Sequence, residues 1–418
     1  MKDLRTIILA AGKGTRMKSE TPKVLHGLCG QPMIQYVLDV VKFVGSLKIY
    51  IVLGYKPELV RASLPGEIVP VLQKRLLGTA DAVRCAKQHF RDYRGDVLVL
   101  CGDTPLLDKD VVKRLIRKHK KSKAACSVLT SVVSDPQGYG RIIRGEKGVV
   151  IAIREEKDAT EFEKNIVEIN TGVYCFRSQD LFKAIRAIKM NKKKKEFYLT
   201  DIVELFVDQG LRIETVEAGD PSEGLGVNTR EDLALAESFL RKKILKKFMA
   251  EGVTIVDPET TYIHKNVSIG CDTIIKPFTV IESHVRIGKN CVIGPFARLR
   301  PGTKIHDTVE VGNFAEVSRS QIGKKSLMKH FGFLGDAWVG SQVNIGAGVV
   351  TANFDGRQKN KTRIEDRAFI GSDSILVAPV KIGKEAMTGA GCVVTRGKVV
   401  PDKQVVVGVP GRIIKRRE

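Results

Sequence analysis

The second half of the chain carries an aliphatic residue at every sixth position. Ile263, Ile269, Ile275, Ile281, Ile287, Ile293, Leu299, Ile305, Val311 and Val317 hold that interval without a miss. An amphipathic helix repeats at 3.6 and a half-buried strand at 2, so a strict six belongs to neither. Glycine or a polar residue usually follows each rung, as in Ile269-Gly270 and Ile287-Gly288. The pattern predicts a parallel β-helix of short strands whose rungs form one continuous stack. An antiparallel β domain, the alternative, would place its turns irregularly. Beyond Val317 the register slips, running through Ile322, Met328 and Leu334, then Val339, Ile345 and Thr351. A last run holds Ile364, Ile370, Leu376, Ile382, Thr388 and Val394. The step of thirteen from Thr351 to Ile364 predicts one residue bulging out between positions 353 and 363. The basic loop Arg357-Gln358-Lys359-Asn360-Lys361 is there a candidate phosphate contact or a plain solvated loop.

The first half alternates strand-like and helix-like segments, as an α/β domain does. Thr6 to Leu9, Lys48 to Leu53 and Asp96 to Cys101 read as strands. Pro32 opens a helix to Val44 with Met33, Tyr36, Val37, Val40, Val41 and Val44 on one stripe, and Gly45 ends it. Further helices are predicted over Ala80 to His89, Asp108 to His119, Ser178 to Ile188 and Thr200 to Val207. Thr229 with Asp232 three residues on forms a capping box for a helix to about Phe248. These patterns divide the chain into an α/β domain over residues 1–228, a helical linker over 229–250 and a β-helix over 251–418.

Composition narrows the class. No apolar run approaches the roughly 20 residues of a membrane span, and the apolar stretch within Met1 to Gly12 is too short for a signal sequence. The eight cysteines are scattered without CxxC spacing, which fits reduced thiols in a cytoplasmic protein better than disulfides or zinc. The net charge of +23 raises nucleic acid as a partner, yet no nucleic-acid-binding motif accompanies it. Lysines cluster at Lys192 to Lys195, Arg241 to Lys247 and Lys415 to Arg417. A solvated basic surface with phosphorylated substrates in its field is the expectation.

Candidate chemistry begins at Leu9-Ala10-Ala11-Gly12-Lys13-Gly14-Thr15-Arg16, just after the first strand. Small residues let the backbone approach a phosphate, and Lys13, Arg16 and Lys23 add charge for a triphosphate. The spacing is neither that of a P-loop nor of a dinucleotide fold, and a tight turn without ligand has the same appearance. Asp103 follows a strand, where open α/β sheets bind ligands, and could hold Mg²⁺ or serve as a turn residue. His330 lies two residues past the rung Met328 and could be a base or a surface residue.

The glycine-rich loop, Pro22-Lys23, Leu77-Gly78-Thr79, Gly102-Asp103, Gly138-Tyr139-Gly140-Arg141, Glu168 to Gly172 and Gly226-Val227-Asn228 resemble, in this order, the sugar-1-phosphate nucleotidyltransferases. Joined to a hexapeptide β-helix, they resemble the bifunctional UDP-N-acetylglucosamine pyrophosphorylase/glucosamine-1-phosphate N-acetyltransferases along nearly the whole chain. That resemblance implies a Rossmann-like nucleotidyltransferase domain and a left-handed β-helix. UTP would contact Leu9, Ala10, Ala11, Gly12, Lys13 and Gly14, with Arg16 and Lys23 neutralising the leaving pyrophosphate. Gln73, Gly78 and Thr79 would recognise uracil, and Asp103 and Asn228 would ligate Mg²⁺. Gly140, Glu155, Asn170, Tyr198 and Thr200 would surround N-acetylglucosamine 1-phosphate.

In the β-helix the resemblance implies His330 as general base, oriented by Glu316, with Arg300, Asn344 and Lys359 on glucosamine 1-phosphate. Ala347, Asn353, Phe354, Ser372 and Ala390 would line an acetyl-CoA site. A homotrimer with sites between subunits is implied, and neither membrane nor nucleic acid as partner. Three positions depart from the family pattern: Ser318 replaces a lysine, Phe333 a tyrosine and Gly408 an arginine. Alternatives are a uridylyltransferase whose β-helix serves assembly, a nucleotidyltransferase for another sugar or base, and a non-catalytic nucleotide-sugar sensor.

Overall fold

The structure is a computed structural model and describes residues 3–414, so the basic run Lys415 to Arg417 lies outside the described residues. Two compact units divide the chain, residues 1–239 and 240–418.

The first unit is a mixed sheet with helices. Its main path runs Ile213–Glu217, Cys126–Val132, Glu168–Arg177, Asp96–Cys101, Leu4–Ala10, Lys48–Leu53, Val69–Leu72. The last four of these strands are mutually parallel, and Glu168–Arg177 enters antiparallel beside Asp96–Cys101. Parallel strands covered on both faces are near-continuous apolar runs, as in Ile7, Ile8 and Val97 to Leu100, all fully buried. From Leu4–Ala10 the chain builds outward through Lys48–Leu53 and Val69–Leu72, then returns to the other side at Asp96–Cys101. That reversal is the switch point where the carboxyl ends of open α/β sheets bind ligands. The helix Met33–Phe43 buries the predicted stripe, and Gly45 ends it with φ +73°. Two helices stop short of prediction. Thr79–Cys85 gives way to a 3₁₀ turn at Lys87–Phe90, and Ser178–Ala184 ends four residues early.

The helix Arg230–Ala250 runs across the division at residue 239. Its capping box forms as read: Asp232 N donates to Thr229 Oγ1 at 3.0 Å and Thr229 N to Asp232 Oδ2 at 2.9 Å.

The second unit is a three-faced parallel β-helix, one face of ten strands and two of eight. Most strands are two residues long with the second buried, so one rung enters the core per face. Ile275 lies opposite Ile293 and Ile293 opposite Val311, which fixes a regular coil at three hexapeptides. Every predicted rung from Ile263 to Val394 is buried, including Thr351 and Thr388. Each aliphatic rung contributes about 1.5–3 kcal/mol of transfer free energy. The slips have a structural cause, since Lys304 pairs with Gln321 and Gln321 with Trp338, coils one residue short at their corners. The reading of the Thr351 to Ile364 step needs correction. Those residues lie on successive faces, with Ala337 opposite Thr362, so the loop is a seven-residue excursion and not a one-residue bulge. It is a small hairpin, bridged between Phe354 and Lys359.

Candidate functional site

The predicted site residues gather in two places, one in each unit. At the switch point the glycine-rich loop follows Leu4–Ala10 and Asp103 follows Asp96–Cys101, the neighbouring strand. Gly102 N donates to Leu9 O at 2.9 Å, which holds the two loops together. Gly14 adopts φ +62°, and a Cβ there would stand 2.8 Å from Lys23 Cβ, so a side chain would displace that lysine. Buried Met17 anchors the far end of the loop, while Lys13 and Arg16 are exposed.

Lys23 joins the predicted metal ligands. Its ammonium donates to Asp103 Oδ2 and, at 3.0 Å, to Asn228 Oδ1. Asn228 is held in turn by Asp232, which accepts from its backbone N–H at 2.8 Å. A carboxylate and an amide oxygen thus converge on one cation, a donor pair suited to a hard divalent ion whose remaining ligands are phosphate and water. Among the described residues no three His, Cys, Asp or Glu side chains gather into a metal cage.

The residues expected to recognise the base form a second wall. Gln73 is nearly fully buried, its Nε2 donating to Asp81 Oδ2 at 2.9 Å and Gly78 O at 3.2 Å. Gly78 has φ +97° and ψ near 180°, a region essentially reserved for glycine. Thr79 Oγ1 accepts from Leu199 N at 2.9 Å, tying this wall to the segment that carries Tyr198 and Thr200. Thr200 donates to Glu155 Oε1 at 2.9 Å. Burial raises the Glu155 carboxyl above its ordinary range, and burial together with Asp158 and Glu196 pushes the Tyr198 hydroxyl up to about 12. Gly140 O accepts from Asn170 N at 2.8 Å, and a β-bulge follows between Asn170 and Tyr174. Bulges of this kind re-aim side chains beside sites.

Sequence reasoning missed the supports of this wall. Tyr139 Oη accepts from Gly226 N at 3.3 Å, two residues before Asn228. Arg141 is 1% exposed, pairs with Glu156 at 2.7 Å and donates to Tyr139 O. The run Gly138 to Arg141 had marked the segment, but nothing in it signals an arginine turned inward.

In the β-helix, His330 sits exposed at a corner between strands Leu327–Met328 and Gly332–Gly335. Among the described residues no hydrogen bond joins it to Glu316, on the preceding coil. Its Oε1 accepts instead from Arg300 Nη1 at 2.9 Å, because Arg300 projects from the adjacent coil of the same face. Asn344 is half-buried on the next coil. Ala347, Ser372, Ala390 and the departing Gly408 recur at the same corner of successive coils. The hydrogen bonds Asp373 N to Ala347 O at 2.6 Å and Gly391 N to Ser372 O at 2.8 Å fix that column. Asn353 is 8% exposed and donates to Asp336, while Phe354 and Lys359 are exposed on the hairpin. Asp355 braces the hairpin, accepting from Arg357 N, Gln358 N and Asn360 Nδ2, so its carboxyl is held far below the usual range.

Ser318 is 1% exposed, and the neighbouring cations are engaged. Arg319 binds Asp336 in a two-point contact of 2.8 and 2.9 Å, and Lys329 pairs with Glu310 at 3.2 Å. Arg319 Nη1 also donates to Ser318 Oγ at 2.8 Å.

No helix among the described residues is long and apolar enough to cross a membrane. Residues 6–201 match the MobA-like NTP transferase domain. Residues 266–301 and 284–319 match the bacterial transferase hexapeptide of six repeats, and residues 361–396 the hexapeptide repeat of succinyl-transferase. The bifunctional protein GlmU of Pelotomaculum thermopropionicum is 44% identical over 412 residues, covering 91% of this chain and 90% of that protein. The protein of the same name from Halalkalibacterium halodurans is 41% identical over 428 residues, covering 94% of each. That from Bacillus subtilis is 40% identical over 434 residues, covering 96% and 95%. Relatives of this identity, each covered along nine tenths or more of its length, show that the chain belongs to the bifunctional GlmU family.

Proposed function

We propose that the chain makes UDP-N-acetylglucosamine in two steps: acetyl transfer from acetyl-CoA to glucosamine 1-phosphate, then uridylyl transfer from UTP. The observation that carries the second step is the convergence of Lys23, Asp103 and Asn228 beside the glycine-rich loop at the switch point.

In uridylyl transfer the sugar-phosphate oxygen attacks the α-phosphorus in line. Catalysis of this kind needs positioning and charge neutralisation more than a protein nucleophile. Arg16 and Lys23 neutralise the departing pyrophosphate, while Leu9 to Gly14 approach the phosphates closely. Gln73, Gly78 and Thr79 hold uracil; Gly140, Glu155, Asn170, Tyr198 and Thr200 hold the sugar. Asp103 and Asn228 would hold Mg²⁺, which would supply charge neutralisation on the triphosphate. Lys23, which lies on both of these side chains, would supply its charge to phosphate.

In acetyl transfer His330 accepts a proton from the glucosamine amine as its nitrogen bonds to the thioester carbonyl, and the carbon–sulfur bond breaks with the electron pair leaving on CoA. Glu316 fixes the Arg300 guanidinium, which with Asn344 and Lys359 faces the sugar phosphate. Ala347, Ser372 and Ala390, small residues in one column, line the acetyl-CoA site with Asn353 and Phe354. Losing charge-assisted contacts at Ser318 and Gly408 weakens substrate binding by about tenfold to a hundredfold each.

The working form is a homotrimer in the cytoplasm. Supporting it, Phe278, Phe296 and Phe314 stack at 4.8 and 5.0 Å along one corner while each stays about half exposed, an apolar ridge suited to a neighbouring copy. The test gives purified protein UTP with N-acetylglucosamine 1-phosphate, and separately acetyl-CoA with glucosamine 1-phosphate. Pyrophosphate and free CoA are both expected. Pyrophosphate without CoA would leave a uridylyltransferase whose β-helix serves assembly.

A further inference from the structure

A chain of hydrogen bonds beside Ser318 ends on Asn353, a contact for acetyl-CoA in the acetyl-transfer reading. Arg319 follows strand Ala315–Ser318 at φ +48°, and Asp336 follows strand Gly332–Gly335 at φ +52°. Ser318 lies opposite Gly335, so Arg319 and Asp336 occupy the same corner of adjacent coils. Asp336 N donates to Ser318 O at 3.0 Å, which fixes their spacing.

All three guanidinium nitrogens of Arg319 are engaged. Nε and Nη2 donate to the two Asp336 carboxylate oxygens at 2.8 and 2.9 Å, and Nη1 donates to Ser318 Oγ at 2.8 Å. A two-point contact between planar groups fixes direction as well as distance. The serine that stands where the family pattern has a lysine thus closes the third side of the guanidinium.

Asp336 passes this order on to Asn353. The hydrogen bond from Arg319 holds the Asp336 carboxyl below the usual carboxylate range, and the bond from Asn353 acts in the same direction. An ionised carboxylate only accepts. Asp336 Oδ2 accepts from Asn353 Nδ2, so the NH₂ end of that amide is committed and Oδ1 turns the other way. Among the described residues Oδ1 has no donor, and it is not one of the buried atoms left without a partner. Gly335 makes room for the arrangement, since a Cβ there would stand 2.7 Å from Asn353 Nδ2. Asn360 N donates to Asn353 O at 2.7 Å, so the main chain is tied to the hairpin while the side chain is tied to the coil.

We propose that Arg319 and Asp336 are positioning residues for the acyl donor: they fix the Asn353 amide so that its Oδ1 accepts from an amide N–H of the pantetheine arm of acetyl-CoA. The proposal rests on the acetyl-transfer reading, which seats acetyl-CoA on Asn353. Pantetheine carries two amide N–H groups, and an acceptor held in one orientation receives such a donor without first being ordered. Arg319 also neutralises Asp336, so the group offered to a polyanionic cofactor is a neutral amide with no bare carboxylate behind it.

The test titrates full-length wild type, Asp336→Asn and Arg319→Ala calorimetrically with acetyl-CoA, and with two analogues in which one or the other arm amide is replaced by an ester. Asparagine tolerates the left-handed backbone at 336 and keeps the size, but can turn either end of its amide to Asn353. Both variants should bind acetyl-CoA roughly tenfold more weakly. One ester analogue should lose a similar factor on wild type and nothing further on Asp336→Asn. KM for glucosamine 1-phosphate should hold, reporting an intact β-helix site, and Arg319→Lys should recover part of the loss. Wild-type affinity for acetyl-CoA in either variant would overturn the proposal. So would both ester analogues binding wild type as tightly as acetyl-CoA, or a loss falling equally on glucosamine 1-phosphate. Should wild-type protein release no CoA in the acetyl-transfer assay, the acetyl-transfer reading fails while the titration still decides the positioning; a wild type that binds no acetyl-CoA overturns both.

Discussion

Replacing Gly78 by alanine should impair uridylyl transfer while sparing acetyl transfer. Two costs add at this position. The backbone at φ +97° with extended ψ costs a non-glycine residue about 1–3 kcal/mol. The new Cβ would also lie 2.5 Å from Phe197 O and 2.8 Å from Phe197 N, both main-chain atoms that no rotamer change can move. That backbone is pinned by its bonds to Leu77 and Ala80, so relief requires parting the two segments, about 1–3 kcal/mol more. The sum, roughly 2–6 kcal/mol, exceeds the local stability of a surface wall, and the segment should shift. Because that segment carries Tyr198 and Thr200, and because Gln73 donates to Gly78 O, base and sugar contacts fail together. Steady-state kinetics with UTP should show KM raised at least tenfold and kcat reduced, with unchanged CoA release in the acetyl-transfer assay. Wild-type KM for UTP in a Gly78→Ala protein would refute the reasoning, since neither cost could then be real.

Other substitutions test other parts of the account. Ile293→Ala removes a fully buried rung from the ladder and should cost about 3–4 kcal/mol, read as a fall in the denaturant midpoint of the β-helix; a change below 1 kcal/mol would mean the coils do not share one packed core. Asp201 is raised to about 6 by burial, then by Glu204, so its folded form holds a proton that the unfolded chain releases near 4. Stability contributed there is present below pH 4 and lost as pH rises to 6, so Asp201→Asn should raise the melting temperature at pH 8 by a few degrees and not at pH 3.5.

The ladder was legible because one side chain per six residues has a single place to go, and all its rungs are buried. The loop after Thr351 was misread for the same reason: spacing counts rungs and cannot tell a skipped rung from an excursion between faces. In the first unit, strand ends and small residues located the nucleotide loop and Asp103, since a phosphate needs close backbone approach. What spacing could not convey was pairing across the chain. Glu316 bonds to Arg300 because a coil of 18 residues brings their strands side by side, a neighbour relation visible only in the register. Arg141 and Tyr139 depend likewise on contacts between separate segments. Family resemblance supplied roles for matched positions, but where Ser318 departs it gave no substitute, and Arg319 and Lys329 are each bound to a carboxylate.

The central claim is that two chemically independent sites share one chain, one built on Asp103 and the other on His330. Pyrophosphate and CoA release should be measured side by side for wild type, Asp103→Ala and His330→Ala. The account expects Asp103→Ala to lose pyrophosphate release with CoA release intact, and His330→Ala to do the reverse. Loss of both activities in either folded variant, or survival of CoA release in His330→Ala, would contradict it.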